Sequence, residues 1–573
     1  MIFMKGSVRF LFLLTNNERM KTIDIHCENN NTVKAYPLGT TLQQIKEDLQ
    51  IKLSNPVCGA LVNHKVKELP FVVVKSKRVK FIDYSDADGR RLYIRSLLFL
   101  LYVAVREVFP QVKLKVLNGI SQGYYCELIG LKRSVTDSDI FELKSEMQRW
   151  VKLDFPFEKK GLQTQDAVEE LVKQGLEEKA KLFDQQGMLF SYLYFLDGYA
   201  NYFYGHHVPS SGYLTSFGLV PYFDGILLQV PKPDNFTELN EVVRQEKLFG
   251  IFKEHKKRAE LLDIPNLGML NEYIERDGGG DIIKISEALH EKKIAEIANS
   301  IDARRNEVKV ILVAGPSSSG KTTFSKRLAV QLAVNGIVPH MISLDDYFVD
   351  REKTPVDEQG NYDFESLGAI DIAFFNHQLL QLFKGEEVEL PRFNFILGRR
   401  EPSGKKLILG NGHLLIVEGI HGMNPKLIPD IEEGRSFKIF LSALTQISLD
   451  DHNHISTTDN RLIRRIIRDS KYRGYSATET IKRWPSVRSG EDRNIFPYQE
   501  NADVMFNSAL MYELAVLKKY AEPLLKAVAE VCEEYCEANR LLKFLGYFHH
   551  MDDSEIPPTS LIREFLGGSS FKY

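Results

Sequence analysis

Eight residues, Gly315-Pro316-Ser317-Ser318-Ser319-Gly320-Lys321-Thr322, carry the clearest chemical instruction in the chain. They fit G-x-x-x-x-G-K-[ST], a loop whose backbone amides surround phosphate oxygens. A β-rich apolar run at 308–314 precedes them. Phe324, Leu328, Leu332 and Val334 follow at roughly helical spacing, and Asn335-Gly336 closes that helix. Strand, glycine loop and helix form the setting the loop needs, because the amides and the helix N-terminus then face anionic oxygens. There Lys321 is placed to reach the β- and γ-phosphates of ATP, and the Thr322 hydroxyl to sit on Mg²⁺, with 315–323 as the nucleotide-binding loop.

Further acids and bases follow in an order that suits phosphoryl transfer to a hydroxyl. Ser343-Leu344-Asp345-Asp346-Tyr347-Phe348 lies at the end of a second strand. A carboxylate there faces the ligand crevice of an open α/β sheet and can take a hydroxyl proton. Asp345 is the first choice and Asp346 the second. The strand 413–417 ends in Glu418-Gly419, an acid positioned to act on Mg²⁺ directly or through water. Arg461, Arg464, Arg465 and Arg468 recur at helical spacing and present one basic face, followed by Lys471 and Arg473. Such a face can close over triphosphate oxygens and stabilise transition-state charge; Arg464 and Arg468 are the residues expected to do so.

These residues need a scaffold, and the chain is long enough for several. Its 573 residues exceed what one core can organise. The net charge of −3 gives no global attraction to nucleic acid. Five scattered cysteines (Cys27, Cys58, Cys126, Cys532 and Cys536) suit a reducing compartment better than a disulfide framework. Cys532 and Cys536 lie one helical turn apart without a His or Cys cluster beside them and are expected to pack, not to bind zinc. No apolar run has membrane-spanning length, so a cytoplasmic protein is expected.

Residues 1–20 read as a tail or a mis-called start. Residues 21–82 read as a small β-rich unit, with strands at 21–27, 32–36, 72–74 and 79–82 and a Thr-capped helix from Thr40. Residues 83–236 carry an apolar helix at 95–109, a charged helical stretch at 164–182 and an aromatic, Gly-rich segment at 192–231. A helical connector, broken by Gly278-Gly279-Gly280, spans 237–300. From 301 to 515, strand-like runs at 308–314, 340–344, 413–417, 437–441 and 502–506 alternate with helical ones, which predicts an α/β unit with a parallel sheet and helices on both faces. A mostly helical extension, 516–573, ends in 560–568, for which the sequence offers no role.

The segments Gly315 to Thr322, Ser343 to Phe348, Asn361-Tyr362-Asp363-Phe364, Pro391-Arg392-Phe393-Asn394-Phe395, Glu418-Gly419 and Asp459-Asn460-Arg461 to Arg468-Asp469 occur in an order that resembles the uridine kinase and phosphoribulokinase family of P-loop kinases. The resemblance implies roles. Asp345 matches the general base and Asp363 the acid that holds ribose hydroxyls. Phe348 and Phe393 match aromatics of the base pocket, and Arg464, Arg465 and Arg468 the lid. Where uridine kinases place a base-reading histidine, this chain aligns Gly398, in Ile396-Leu397-Gly398-Arg399-Arg400. That glycine cannot supply the contact, which puts uridine specificity in question and leaves Arg399 or Arg400 to meet a different substrate.

The front of the chain has resemblances of its own. Residues 21–82 resemble the β-grasp-like TGS domain. Residues 83–236 resemble the α+β second additional domain of threonyl- and alanyl-tRNA synthetases, which edits mischarged amino acids, with Gly205-His206-His207-Val208-Pro209 as the nearest local match. That editing depends on a His-x-x-x-His and a Cys-x-x-x-His pair. Here Arg95 and Phe99 take the first two positions, Phe203 the cysteine, and only His207 remains. One ligand of four cannot hold a metal, so this unit reads as a repurposed scaffold.

The sequence thus points to an ATP- and Mg²⁺-dependent kinase that phosphorylates the 5′-hydroxyl of a nucleoside, uridine-like by family resemblance. Two alternatives stand beside it: a kinase for another small hydroxyl compound, such as a sugar phosphate or a non-pyrimidine nucleoside, and an RNA- or ribosome-associated nucleotide sensor. The expected partner is a small molecule and not a membrane. Nucleic acid would enter only through the front half, and the reading is compatible with a homo-oligomer.

Overall fold

The computed structural model describes residues 21–357, 360, 362–432 and 434–572; the 1–20 segment and Asn361 lie outside them. The chain opens with β1 (Thr22–Cys27), β2 (Thr32–Pro37), α1 (Leu42–Asp48), β3 (Gly59–Val62), β4 (Lys65–Lys67) and β5 (Lys77–Ile82). Their sheet order, β2-β1-β5-β3-β4, with β1 parallel to β5 and α1 packed across one face, is a β-grasp. Thr41 caps α1 in a reciprocal box with Gln44. The expected strand at 72–74 does not form. Val72 makes an isolated bridge to Thr41, Val72 and Val74 are exposed, and the sheet is completed by β3 and β4. A β-branched run without a partner edge is not a strand.

Next come α2 (Ala87–Val108), β6 (Lys113–Ile120), β7 (Gly123–Ile129), α3 (Asp137–Leu153), β8 (Glu158–Gln163), α4 (Thr164–Lys173), α5 (Glu177–Gln185), β9 (Phe190–Leu196), β10 (Tyr199–Asn201), β11 (Gly218–Tyr222) and β12 (Gly225–Gln229). Two antiparallel sheets, β10-β9-β8 and β11-β12-β7-β6, share a core with α2, which is buried without a break from Ser96 to Val105. A helix apolar on every side belongs inside a core. Its start, eight residues before the expected Arg95, is a polar turn that apolar periodicity does not reveal.

The connector holds α6 (Glu246–Leu261), α7 (Leu267–Asp277) and α8 (Gly280–Asp302). Gly278 and Gly279 adopt φ of +68° and +79° and turn the chain from α7 into α8, which is the left-handed backbone that glycine tolerates.

The remaining elements are β13 (Val310–Ala314), α9 (Lys321–Val334), β14 (Val338–Ser343), α10 (Ile372–Phe383), β15 (Val388–Asn394), β16 (Arg399–Leu407), β17 (His413–Glu418), β18 (Ser436–Ser442), α11 (Thr457–Tyr472), α12 (Ala477–Asn494), β19 (Val504–Asn507), α13 (Glu513–Lys526), α14 (Tyr535–Leu545) and α15 (Arg563–Leu566). The five strands expected at 308–506 form one parallel sheet, ordered β14-β17-β13-β18-β19, with β13 in the middle. Alternate residues of β13 serve opposite faces. Val310, Leu312 and Ala314 pack with Val417, Phe440 and Phe375; Ile311 and Val313 pack with Phe324, Leu328 and Ile297. Both faces are therefore covered by apolar layers, as a parallel sheet requires. The connector and the C-terminal extension are not spacers. Ile274, Ile283, Leu517, Leu541, Phe544 and Ile562 share one core with Leu462 and Ile466 of α11.

Candidate active site

All parallel strands of the sheet end at the same edge, and register brings the chemistry together there. Val313 of β13 pairs with Glu418, which pairs with Ser343 on its other side. The loop 315–320 rises from β13 at this edge. Ser318 (φ +59°) and Gly320 (φ +84°) supply the left-handed backbone that curls it. A Cβ on Gly315 would lie 2.2 Å from the Leu441 carbonyl oxygen, so only glycine fits at that position. Lys321 begins α9, and its Nζ donates to the Pro316 carbonyl at 3.2 Å. Thr323 is fully buried at the start of the same helix.

The Thr322 hydroxyl donates to Glu418 Oε1 at 3.0 Å. Burial pushes the Glu418 carboxyl up to about 7, Asp345 and Glu564 adding to the rise and Lys321 and Thr322 opposing it. A hydroxyl and a carboxylate among further carboxylates are hard oxygen donors, the set that Mg²⁺ takes together with water and phosphate oxygens. Asp345 opens to solvent at the rim of the crevice. Desolvation within the crevice raises its carboxyl too, against the pull of Lys321, Arg473 and Arg468. Asp346 is engaged otherwise: its Oδ1 accepts from the Phe393 amide at 3.2 Å and anchors the β15–β16 hairpin. Of the adjacent pair, only Asp345 is left facing the crevice beside Lys321.

The arginine face of α11 divides into two kinds of residue. Arg461 and Arg464 are buried, at 1% and 0% exposure. Arg461 forms a two-bond pair with Glu491 (2.5 and 2.8 Å) and donates to the Ser317 carbonyl at 3.1 Å, while Glu491 also accepts from the Ser317 amide at 2.9 Å. Arg464 pairs with Glu513 and donates to the Ser318 carbonyl and to Ser508. The expectation that Arg464 closes as part of a lid is corrected: its guanidinium is sealed beneath the loop and holds it in shape. Arg465, Arg468 and Arg473 share a single carboxylate, Asp469, at 3.2, 2.8 and 3.7 Å. Three cations on one anion leave positive charge uncompensated beside the loop, where a phosphate would balance it.

The acceptor side is built from loops and the hairpin. Asp363 accepts from the Glu365 amide at 3.2 Å and pairs with Arg493 at 3.3 Å. Glu365, absent from the sequence reading, has its carboxyl raised to about 7 by burial, with Arg465 opposing and Glu491, Asp345 and Asp363 reinforcing. Phe348 and Phe393 stand 5.6 Å apart but are buried, at 8% and 5% exposure. They back the wall. Its accessible faces belong to Phe364, Phe395 and Tyr362, with Phe395 5.1 Å from Phe393. Gly398 sits at the hairpin tip at φ +67°, where a Cβ would meet the Arg351 side chain at 2.9 Å. Its amide donates to Asn394 O and its carbonyl accepts from the Arg351 amide, so the position serves the turn. Arg400 is paired with Asp371 at 2.9 Å and lies over Phe374, and the exposed Arg399 contacts Glu401.

A third group was missed altogether. The 560–568 ending returns to the loop. Glu564 accepts from the Thr323 hydroxyl at 2.7 Å and from its amide at 3.3 Å, Leu561 abuts Gly320, and Phe565 lies under Arg464. No spacing motif marks these contacts, since they join residues about 100 to 240 positions apart.

In the front half, the four positions aligned with the editing ligands do converge. Phe99 and Phe203 lie 5.4 Å apart, His207 is 5.8 Å from Phe99 and 5.9 Å from Phe203, and the Arg95 guanidinium lies against Gly205. Aromatic rings fill the space where ligands would point. His207 accepts from or donates to Ser96 Oγ at 3.1 Å, and burial lowers its ring to about 3. Among the described residues no cluster of three or more His, Cys, Asp or Glu could by itself hold a metal, the five cysteines are free, and no helix is long and apolar enough to cross a membrane.

The chain is similar to known proteins of two kinds. Residues 310–514 match the model of the phosphoribulokinase / uridine kinase family. A uridine kinase of Deinococcus deserti is 26% identical over 208 residues, 36% of this chain and 91% of the relative. Over the N-terminal region the chain resembles threonine–tRNA ligases; that of Desulforamulus reducens is 26% identical over 249 residues, 41% of this chain and 39% of the ligase. The chain thus spans between 29% and 39% of the length of such ligases. Among solved structures, the D-glycerate 3-kinase of Cryptococcus neoformans overlaps 49% of this chain and 90% of its own, at 14% identity and a TM-score of 0.21. With its nucleotide loop at the centre of a parallel sheet and its acids along the strand ends, the 310–514 unit matches the phosphoribulokinase / uridine kinase family of P-loop kinases and follows a threonine–tRNA-ligase-like front.

Proposed function

We propose that the chain transfers the γ-phosphate of ATP to the 5′-hydroxyl of a nucleoside, uridine-like substrates included, with a loose choice of base. The observation that carries this reading is the accessible aromatic wall of Phe364, Phe395 and Tyr362, backed by Phe393 and by Phe348, which follows Asp345 by three residues. Every nucleobase has a face to stack on such a wall, whereas an edge-reading side chain at Gly398 is absent.

Lys321 and the amides of 315–323 hold the triphosphate. Asp345 takes the proton from the acceptor hydroxyl as its oxygen bonds to the γ-phosphorus; the bond to the bridging oxygen breaks and ADP leaves. Arg465, Arg468 and Arg473 face the charge that develops. Asp363 orients the ribose hydroxyls. Thr322 and Glu418 would hold Mg²⁺, which neutralises phosphate charge when bound. The raised Asp345 carboxyl suits a base that must accept a proton and then release it.

Transfer of labelled γ-phosphate across a panel of nucleosides and sugar phosphates tests the reading. Comparable kcat/KM on several nucleosides, with none on sugar phosphates, is the expected pattern. A sugar phosphate as the preferred acceptor would establish the rival reading, which the Arg400–Asp371 pair disfavours by occupying one of the two basic groups it needs.

A further inference from the structure

A cavity of about 1360 Å³ opens between the β-grasp unit, the ligase-like unit and α14, away from the kinase crevice. It is larger than the ~300–1,000 Å³ typical of small-molecule pockets. Four cations from four separate elements line it: Lys67 of β4, Arg95 of α2, Lys159 of β8 and Lys543 of α14. None of the four forms a hydrogen bond or ion pair through its side chain among the described residues. Three rest on rings instead. Lys67 Nζ is 4.7 Å from the Phe71 ring centre, Lys159 Nζ is 4.7 Å from that of Tyr192, and the Arg95 guanidinium is 5.9 Å from that of Tyr204.

The carboxylates nearby are engaged elsewhere. Glu68 accepts from Tyr194 and contacts His206 Nδ1 at 3.1 Å, Asp88 pairs with Arg91, and Glu158 with Lys160. The like charges are felt mutually. Burial lowers Lys67, with Lys543 and Lys159 pushing it further down, and burial lowers Lys543, with Lys159 again adding. Arg95 is pushed down to about 10 by burial and by Arg91. Bringing four unpaired cations from distant parts of a chain to one hollow costs electrostatic energy that an anion would recover.

We infer that this cavity binds a small phosphorylated anion bearing an aromatic ring, a free nucleotide in chemical class, with Lys67, Lys159, Lys543 and Arg95 on its phosphate and the tyrosine wall on its ring. Cations of this kind recognise phosphate, and rings such as Tyr192 and Tyr204 stack on a base. The inference is independent of the substrate assigned to the kinase crevice.

The test uses the full chain carrying Lys321→Ala, which disables the nucleotide loop, and isothermal titration with UMP, AMP and inorganic pyrophosphate as probes. One-to-one binding of UMP or AMP is expected, weakened by about tenfold or more in Lys67→Glu/Lys543→Glu. The exposed Lys159→Glu serves as a second variant, with an expected loss of about threefold or more and an unchanged Tm. No binding of any probe, or binding that neither charge reversal weakens, overturns the inference. So does binding of a ten-residue single-stranded RNA by a protein that ignores both mononucleotides, since the cavity would then serve a polymer.

Discussion

Side chains from distant segments converge at the kinase crevice and again around Phe99 in the front half, and the two places have been filled in opposite ways. At the kinase crevice the polar groups exceed what the fold needs: Asp345, Glu418 and Glu365 are carboxylates raised by desolvation, and Arg465, Arg468 and Arg473 share one counter-ion. Where Phe99, Phe203 and His207 meet, aromatic rings fill the space and the histidine is held neutral by burial. Uncompensated charge marks a place awaiting a ligand, and apolar filling marks one given over to packing. A related backbone trace preserves the position of a site, while only its polar balance says whether chemistry is still done there.

The comparison can be broken by substitution. The largest effect is expected from Asp345→Ala, which should lower kcat by about 10²–10⁴-fold while ATP still binds; single-turnover transfer alongside nucleotide titration checks both halves, and near-normal turnover would remove Asp345 from the mechanism. Next is Arg464→Ala. It strands the Glu513 carboxylate in a dry site, for an expected loss of about 3–5 kcal/mol of stability. Arg468→Ala should instead abolish most transfer with little change in Tm. Denaturation of the two variants side by side separates a girder from a phosphate contact.

A smaller effect concerns pH. The folded-state carboxyl of Glu418 is raised to about 7 from 4.5, so between those values the native state holds more protons than the unfolded one. Its contribution to stability is therefore present at low pH and lost as pH rises toward 7. The Tm of the wild type minus that of Glu418→Gln should fall across this window by about 2–4 °C, and Mg²⁺ should reverse the fall. A flat difference would place Glu418 outside the cation site. The smallest effect is expected in the front half: His207→Ala should leave phosphoryl transfer within about twofold and cost about 1–3 kcal/mol through the lost Ser96 contact, read by activity and thermal melting together.

Much of the kinase architecture was legible because its elements are regular. The 308–314 run, the glycine loop and the four further strand runs each follow a local pattern, and β13, β14, β17, β18 and β19 assemble from them. The β3–β4 hairpin was hidden because Gly59–Val62 is short and its partner, Lys65–Lys67, is half-buried and charged. The helical face of α11 was visible, but spacing cannot tell a buried arginine from an exposed one. Arg464 and Arg468 differ only in what lies opposite them, and Glu513 arrives from 49 residues away. Glu365 and Glu564 had no motif to announce them. Phe348 and Phe393 were found by resemblance, yet the faces a substrate can reach are those of their neighbours.

The return of residues 560–566 to the nucleotide loop has a bearing on how the protein is made. Chains are synthesised from the N-terminus, and their domains fold as they emerge, at ~5–20 residues per second. The front half and the parallel sheet can therefore form while translation continues. The floor beneath Gly320 and Thr323 cannot, because Leu561, Glu564 and Phe565 are still inside the ribosome. A chain that stalls or is clipped before this point would carry every catalytic residue named here and still lack a finished nucleotide site. Completion of the nucleotide loop would thus wait on a segment about 240 residues further along the chain.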